Sequence, residues 1–160
     1  MAIYGLHKKV KGNVTAEGFK DHFRCESFHF AVGRAVSMEA GNMANRETTR
    51  PSLSEISFTK KADNSLTSLF DQAVVGAQGE DMEFKFVRTG ADAVKPYLTV
   101  KLTNAIISGY TVSADADGGP METVSVSYSK IMMNYEDNDA VNAKGNPQRS
   151  GYDLETAKKQ

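Results

Sequence analysis

Alternation of apolar and polar residues over positions 97–135 is the feature that most constrains the fold of this chain. Successive side chains of a β-strand point to opposite faces, so strict alternation is typical of strands with one buried face. The first arm places these apolar residues on one face: Leu98, Val100, Leu102, Ile106, Tyr110 and Val112. The second arm continues the pattern with Val124, Val126 and Tyr128. We therefore predict one long β-hairpin.

The segment that connects the two arms, residues 115–120, has the composition of a turn. Gly tolerates positive φ, Asp is a good turn residue, and Pro is confined to strand ends or edges. Each arm has about 15 residues, or roughly 50 Å, whereas strands of small domains usually have about 5–6 residues. We expect arms of this length to bend and to take part in more than one sheet.

The apolar set of the second arm changes parity after Tyr128 and continues with Ile131 and Met133. A shift of one residue, here at residues 129–130, is typical of a β-bulge or of the corner of a barrel. The sequence therefore predicts a mainly β fold, built as a barrel or a sandwich around a bent hairpin. Shorter alternating segments predict further strands at residues 3–7, 23–32, 53–60 and 82–89, with a terminal strand near Tyr152.

One segment has the period of a helix and follows three candidate N-cap residues at positions 63–65. Its apolar stripe consists of Leu66, Leu69, Phe70, Ala73 and Val74. Gly76 is suited to the C′ position. Because a helix this short is unstable alone, we expect Leu66, Leu69 and Phe70 to be buried on the β-structure, each contributing roughly 1.5–3 kcal/mol.

Two segments present side chains that suit contacts with other molecules. In residues 23–32, Phe28, Phe30 and Val32 share the expected core face, which turns Cys25, Ser27 and His29 toward solvent or a cavity. Residues 33–51 have no clear period, and loops of this length are usually functional or disordered. Methionine and arginine are enriched at interfaces, and this loop carries Arg34, Met38, Met43, Arg46 and Arg50. A surface loop without function is the alternative. The polar residues 136–150 are expected to be mobile.

The composition indicates which classes of protein the chain does not resemble. A chain of 160 residues with a net charge of −1 fits one domain, here residues 1–160, and has no strong field to attract nucleic acid or an acidic membrane. Cys25 is the only cysteine, so no intrachain disulfide can form. The first residues lack the pattern of a signal peptide, and no apolar run approaches the ~20 residues of a membrane helix. We expect a soluble protein made in the cytoplasm.

Residue patterns typical of catalysis are missing from the sequence. There is no Gly-rich loop before a helix, no Walker-type Lys and no nucleophile elbow. His22, Cys25 and His29 lack the closely spaced pairs of zinc sites, and His22 projects opposite to the other two on a strand. We therefore predict no catalytic residue, no cofactor and no metal site. Long hairpin arms instead leave strand edges that a symmetric assembly can pair, and a head-to-tail interface that closes makes a ring.

Segments along nearly the whole chain, in order, match one known family. They are residues 1–4, 10–12, 26–32, 53–60, 63, 65, 69–70, 102–105, 107–110, 122–126 and 151–154. Together they make the sequence similar to the haemolysin-coregulated protein (Hcp) family, whose members form the tube of bacterial type VI secretion. The resemblance implies a two-sheet β-barrel with one helix at its side, assembling as a hexameric ring.

The resemblance also implies a mechanism and partners. Rings of the family stack into a tube that a contractile sheath expels with a spike at its tip, and the lumen carries effectors in several members. Such a protein is secreted without a cleaved signal peptide. The loop at residues 33–51 falls where the family has an extended loop that reaches a neighbouring ring or subunit, which implies stacking contacts for its Arg and Met residues. Ser27 and His29 are implied to line the lumen; the family often has a small residue at position 29.

Two other readings remain open on the sequence alone. A tail-tube protein of a contractile phage has a similar structural role, and a small-ligand-binding barrel would enclose an apolar cavity. A monomer with a deep interior pocket would favour the ligand-binding barrel, whereas a hexamer would exclude it. If the polar rows of the hairpin are assembly surface, bulky charge at Thr103 or Ser125 should disturb rings more than monomer stability.

Overall fold

The structure is a computed structural model that describes residues 1–36, 40, 49–89, 94–136 and 146–160. Most of these residues lie in β-strands, and one helix connects two of the strands, as the sequence predicts. The elements in chain order are β1 Ala2–His7, β2 Phe23–Cys25, β3 Ser27–His29, β4 Val32–Gly33, β5 Ser52–Leu53, β6 Ile56–Lys61, α1 Leu66–Val75, β7 Glu80–Thr89, β8 Val94–Asp115, β9 Gly119–Ser127, β10 Lys130–Tyr135, β11 Gln148–Asp153 and β12 Lys158–Lys159. In the described part of the chain, no helix has the length and apolarity needed to cross a membrane.

Strand β8 belongs to both main sheets of the molecule. Its first half lies between β7 and β10 in sheet A, whose strand order is β12-β11-β10-β8-β7-β1-β2. Its second half pairs with β9, and β9 continues through β6 to β3 in sheet B. Strands β4 and β5 form a separate two-stranded ribbon. Because β8 is shared, the two sheets fold over each other and enclose a common core.

The long hairpin that the sequence predicts is confirmed. Leu98 lies opposite Tyr135, Ile106 opposite Ser127, and Asp115 opposite Gly119, so the pairing runs from end to end. The return arm is interrupted between β9 and β10, at the predicted phase change. Tyr128 and Ile131 are both buried on either side of this break, which shows that the shift keeps both segments facing the core.

The prediction of a closed barrel is wrong, because the described residues form open sheets. Strand β2 pairs with β1 at the edge of sheet A, while β3 pairs with β6 at the edge of sheet B. The chain passes from one sheet to the other at Glu26, where no strand pairing joins β2 to β3. The predicted mainly β class is confirmed, whereas the predicted closure of the strands into a hydrogen-bonded barrel is wrong.

Aromatic side chains from both sheets form the centre of the core. The rings of Phe23 and Phe58 stack with centroids 5.5 Å apart, and Phe84 meets Phe58 edge-on at 5.2 Å. All three are essentially inaccessible to solvent. Phe28 contacts Phe84 at 5.0 Å from the edge of sheet B, as its predicted core position requires.

In the first arm of the hairpin, two of the predicted core positions are wrong. Ile106 is 36% exposed, whereas its neighbours Ala105 and Ile107 are buried. Asn104 has a φ of 54°, and this left-handed residue exchanges the two faces of the strand. A second register shift after Ile107 restores the original parity. Val112 is also exposed, because residues 111–120 extend beyond the core.

The segment predicted as one strand at residues 23–32 forms three short strands. The transition at Glu26 changes parity, so Cys25 is buried in the core rather than turned outward with Ser27 and His29. Both of those residues are exposed, as predicted. Val32 is 55% exposed, contrary to its predicted place in the core, because it lies in the β4–β5 ribbon. Beyond the undescribed residues 137–145, Gln148–Ser150 belong to β11.

Helix α1 follows a turn held by the carboxylate of Asp63. Asp63 Oδ1 accepts a hydrogen bond of 2.9 Å from the backbone N–H of Ser65, and the helix ends at Gly76, whose N–H bonds to the carbonyl of Gln72. Leu69 is completely buried, but Phe70 is 52% exposed. The burial predicted for Phe70 is therefore wrong, although its ring packs in a T-shaped arrangement with Tyr110, with centroids 6.1 Å apart.

Candidate assembly surfaces

The outer surface of sheet B carries two rows of small polar side chains. The strand registers place Ser27, Thr59, Thr123 and Thr111 in one row across β3, β6, β9 and β8. The next row consists of His29, Ser57, Ser125 and Gly109. We call these eight residues the hydroxyl face. Each is exposed or half-buried. The structure thus brings together Ser27 and His29, and it adds neighbours from three further strands, β6, β9 and β8, that the sequence of β3 alone does not reveal.

The hydroxyl face has no acidic residue, no lysine or arginine and no large aliphatic side chain. Hydroxyl groups both donate and accept hydrogen bonds, so neighbouring side chains of the face can bond to each other as well as to water. Ser27 Oγ and Thr59 Oγ1, for example, lie 2.6 Å apart. Such a surface offers many weak, interchangeable hydrogen-bonding contacts.

A groove of about 690 Å³ lies between the β4–β5 ribbon and strands β10 and β11. Its apolar floor is formed by Phe30, Val32, Leu53, Ile131, Met133 and Tyr152. Arg34, Arg50 and Lys159 line it with positive charge. We call this the end groove, because β10, β11 and β12 lie at one end of the strand order of sheet A.

Two of the five predicted loop residues lie together at the end groove. Arg34 Nε donates a hydrogen bond of 3.3 Å to the carbonyl of Thr49, which keeps the two ends of the loop together. Arg50 lines the groove next to them. Met38, Met43 and Arg46 lie outside the described residues. Sequence reasoning missed Lys159, since only the pairing of β12 with β11 brings the end of the chain to this place.

A buried ion network lies beneath the hydroxyl face and was also missed. Lys60 and Glu122 are completely buried and contact each other, and Lys60 Nζ also lies 2.8 Å from Asp63 Oδ1. The hydroxyl of Tyr110 donates to Glu122 Oε1 at 2.7 Å. The sequence contains a signal for this network. Lys60 continues the core-facing positions of Ile56 and Phe58, and Glu122 shares a face with Val124, so alternation alone places both charged residues on the buried side.

The network perturbs two of its titratable groups. Burial disfavours the charged form of Asp63, but hydrogen bonds from Lys60 and Ser65 outweigh this and hold the pKa of its carboxyl below the usual value. Burial, together with the hydrogen bond to Glu122, raises the pKa of Tyr110. Asp63 is therefore ionised and Tyr110 neutral at pH 7. The network ties β6, β9, β8 and the start of α1 together.

Comparison with known proteins identifies the family. A family model described as type VI secretion system effector, Hcp, matches residues 1–135. The chain belongs to the Hcp family. A type six secretion system protein of known structure is 25% identical, with a TM-score of 0.91 and 99% of both chains covered. Comparison of the sequence with curated proteins finds no significant match.

Other solved structures share the fold at lower identity. Hcp1 from Salmonella typhimurium is 20% identical, with a TM-score of 0.78, and covers 99% of this chain and 98% of its own. Hcp1 from the E. coli EAEC 042 pathovar is 19% identical, with a TM-score of 0.74, over 96% of this chain and 99% of its own. At these identities the likeness shows the fold alone.

Membership of the Hcp family confirms the resemblance seen in the sequence and gives the general function. The chain is a tube protein of type VI secretion, a structural and secreted protein that assembles with itself. The family description favours this role over the phage tail tube and the ligand-binding barrel.

Proposed function

We propose that this chain forms homohexameric rings whose lumen is lined by the hydroxyl face, and that these rings stack into the inner tube of a type VI secretion system. A contractile sheath expels the tube behind a spike, and effector proteins travel in the lumen. The observation that carries the proposal is the hydroxyl face itself, two rows of exposed or half-buried side chains across four strands that include no acidic residue, lysine or arginine.

Symmetry explains why an uncharged face suits a ring lumen. Any charge on the inner surface is repeated in every copy around the ring, and like charges confined in a narrow space repel each other. Serine and threonine provide hydrogen bonds without this cost. His29 departs from the small residue that the family often has there, and as the largest side chain of the face it is the residue that sets the contact with cargo.

Electron microscopy of the purified protein, with analytical ultracentrifugation, tests the ring directly. We expect hexamers with an open centre. His29→Trp should leave the hexamer intact, because the position is exposed, but it should reduce the amount of effector that co-purifies. Glu17→Trp, an exposed position outside the face, is the matched control. A wild-type monomer, or a His29→Trp hexamer with unchanged cargo, would contradict the proposal.

The loop residues Arg34 and Arg50, together with Met38, Met43 and Arg46, are proposed to make contacts between copies. Thr49 should be kept in a test of this role, since its hydroxyl and N–H bond to Ala35. Replacing residues 37–48 with a short Gly-Ser linker should preserve the fold by circular dichroism and impair tube formation and secretion. Normal secretion of this variant would reject the role of the loop.

Export of the chain is proposed to occur from the cytoplasm without cleavage. The intact mass of the protein recovered from culture medium should equal that of the cytoplasmic protein, and its appearance there should require the contractile sheath. A shorter secreted form would indicate processing and would argue against this route.

A further inference from the structure

We propose that the end groove of one copy binds the exposed face of helix α1 of a second copy, so that the copies associate head to tail. This inference rests on the proposed self-assembly and specifies the surfaces that meet. It is argued from two apolar surfaces that the single chain leaves uncovered, from their opposite charges, and from their location on different elements of the fold.

The first surface is the outer face of α1. Phe70, Val74 and Val75 are 52%, 65% and 74% exposed, although three apolar side chains on one short helix would ordinarily be covered. Residues four apart on a helix lie one above the other, so Phe70 lies beside Val74 and Asp71 beside Val75. The four side chains form one apolar patch with a single negative charge.

The second surface is the end groove, whose charge is of the opposite sign. Its described lining contains Arg34, Arg50 and Lys159 and no acidic residue. The helix contributes Asp71 and has no basic residue in its last turn, so the partial negative charge of its C-terminus is not neutralised locally. An apolar patch with negative charge thus matches an apolar floor with a positive rim.

The two surfaces are built from different elements and share no residue. Helix α1 packs against β8, where the rings of Phe70 and Tyr110 lie 6.1 Å apart. The groove is lined by the β4–β5 ribbon and by strands β10, β11 and β12. Because the helix face is exposed in the single chain, the groove of the same copy does not cover it. A contact between unlike surfaces is heterologous and repeats from copy to copy, as in a closed ring or a stack.

Cross-linking of mixed single-cysteine variants tests the contact. Val32→Cys places a thiol at the groove and Val74→Cys places one on the helix, both at exposed positions. The native Cys25 is only 3% exposed and burial raises its pKa, so background reaction with a short bismaleimide is low. The mixture of the two variants should give a covalent dimer, while each variant alone should give none.

Lys20→Cys, an exposed position away from both surfaces, replaces either variant in the control mixture. Dimers within a single variant would show a symmetric contact and overturn the proposal. A Val32→Cys and Val74→Cys mixture that gives no more dimer than the Lys20→Cys mixture would also overturn it.

A charge exchange tests the same contact without cross-linker. Asp71→Arg and Arg50→Glu should each weaken self-association about tenfold or more, because like charges then face each other. The double variant should recover much of the loss, whereas Lys20→Glu should change nothing. Equal effects of the single and double variants would overturn the proposal.

The experiments distinguish a failure of this contact from a failure of the proposed function. Wild-type rings that form and are secreted, with no helix-to-groove cross-link, would reject this contact and leave the proposed function standing. A wild-type protein that forms no ring and is not secreted would reject the proposed function itself.

Discussion

The outer faces of the two sheets are built from the same alternating pattern but from different side chains. On sheet A, Lys85 lies opposite Thr99, which lies opposite Asn134, and Arg149 follows on β11. In the neighbouring row Glu83 faces Lys101 at 3.6 Å. On sheet B the two rows of the hydroxyl face carry serine and threonine, together with His29 and Gly109. A face that meets solvent tolerates scattered charges of both signs, whereas in the proposed ring a charge on the lumen face would be multiplied by symmetry.

The largest loss of stability is expected at a buried residue of β9, one of the four strands that carry the hydroxyl face. Glu122→Ala leaves Lys60 buried with only Asp63 as a carboxylate partner, and it should lower the free energy of unfolding by about 3–5 kcal/mol. Urea denaturation measures this. Thr123→Ala, the adjacent outward residue, should change it by less than about 0.5 kcal/mol. Similar losses for the two variants would mean that inward and outward positions of β9 do not differ as the structure shows.

Charge introduced on each face tests the difference in assembly. The sequence alone placed Thr103 and Ser125 in one class, but Thr103 lies opposite Lys130 in sheet A while Ser125 is on the hydroxyl face. Ser125→Arg should abolish or distort rings and change monomer stability by less than about 1 kcal/mol. Thr103→Arg should leave rings intact. Sedimentation and electron microscopy measure ring formation. Loss of rings in both variants would show that the two faces do not differ in assembly.

Lowering the pH should weaken the buried network beneath sheet B. The pKa of Asp63 is lower in the folded chain than its unfolded value of about 3.9, so the stability it contributes is present above pH 4 and is lost as pH falls below that value. Asp63→Asn should flatten the fall of unfolding free energy between about pH 4 and pH 2. An unchanged pH profile in this variant would show that other carboxylates dominate.

The smallest effect is expected for the surface ion pairs of sheet A. Glu83 lies 3.5 Å from Lys85 and 3.6 Å from Lys101, and both lysines reach solvent. Glu83→Gln should therefore cost less than about 1 kcal/mol, and the difference should shrink in high salt. A larger, salt-independent loss would place this face in the same energetic class as the Lys60–Glu122 network.

Much of the local structure was predictable from the sequence. The hairpin, its phase change near Ser129, the helix and the outward direction of Ser27 and His29 all follow from periodicity. Some errors occurred where the regular period is interrupted: Asn104 exchanges faces through its positive φ, and at Glu26 the chain passes between sheets. The bent hairpin suggested a barrel or a sandwich and the family resemblance implied the barrel, whereas the described strand pairings are open.

The sequence by itself determined which side is buried wherever the strands keep a regular period, and the match over residues 1–135 assigned the family. Only the tertiary structure decided which strands are neighbours. That decision brings Lys60 to Glu122, 62 residues away, aligns the hydroxyl rows across β3, β6, β9 and β8, and closes the end groove with Lys159. The physical reason is that side-chain direction along a strand is a local property, whereas pairing depends on contacts between segments distant in the chain.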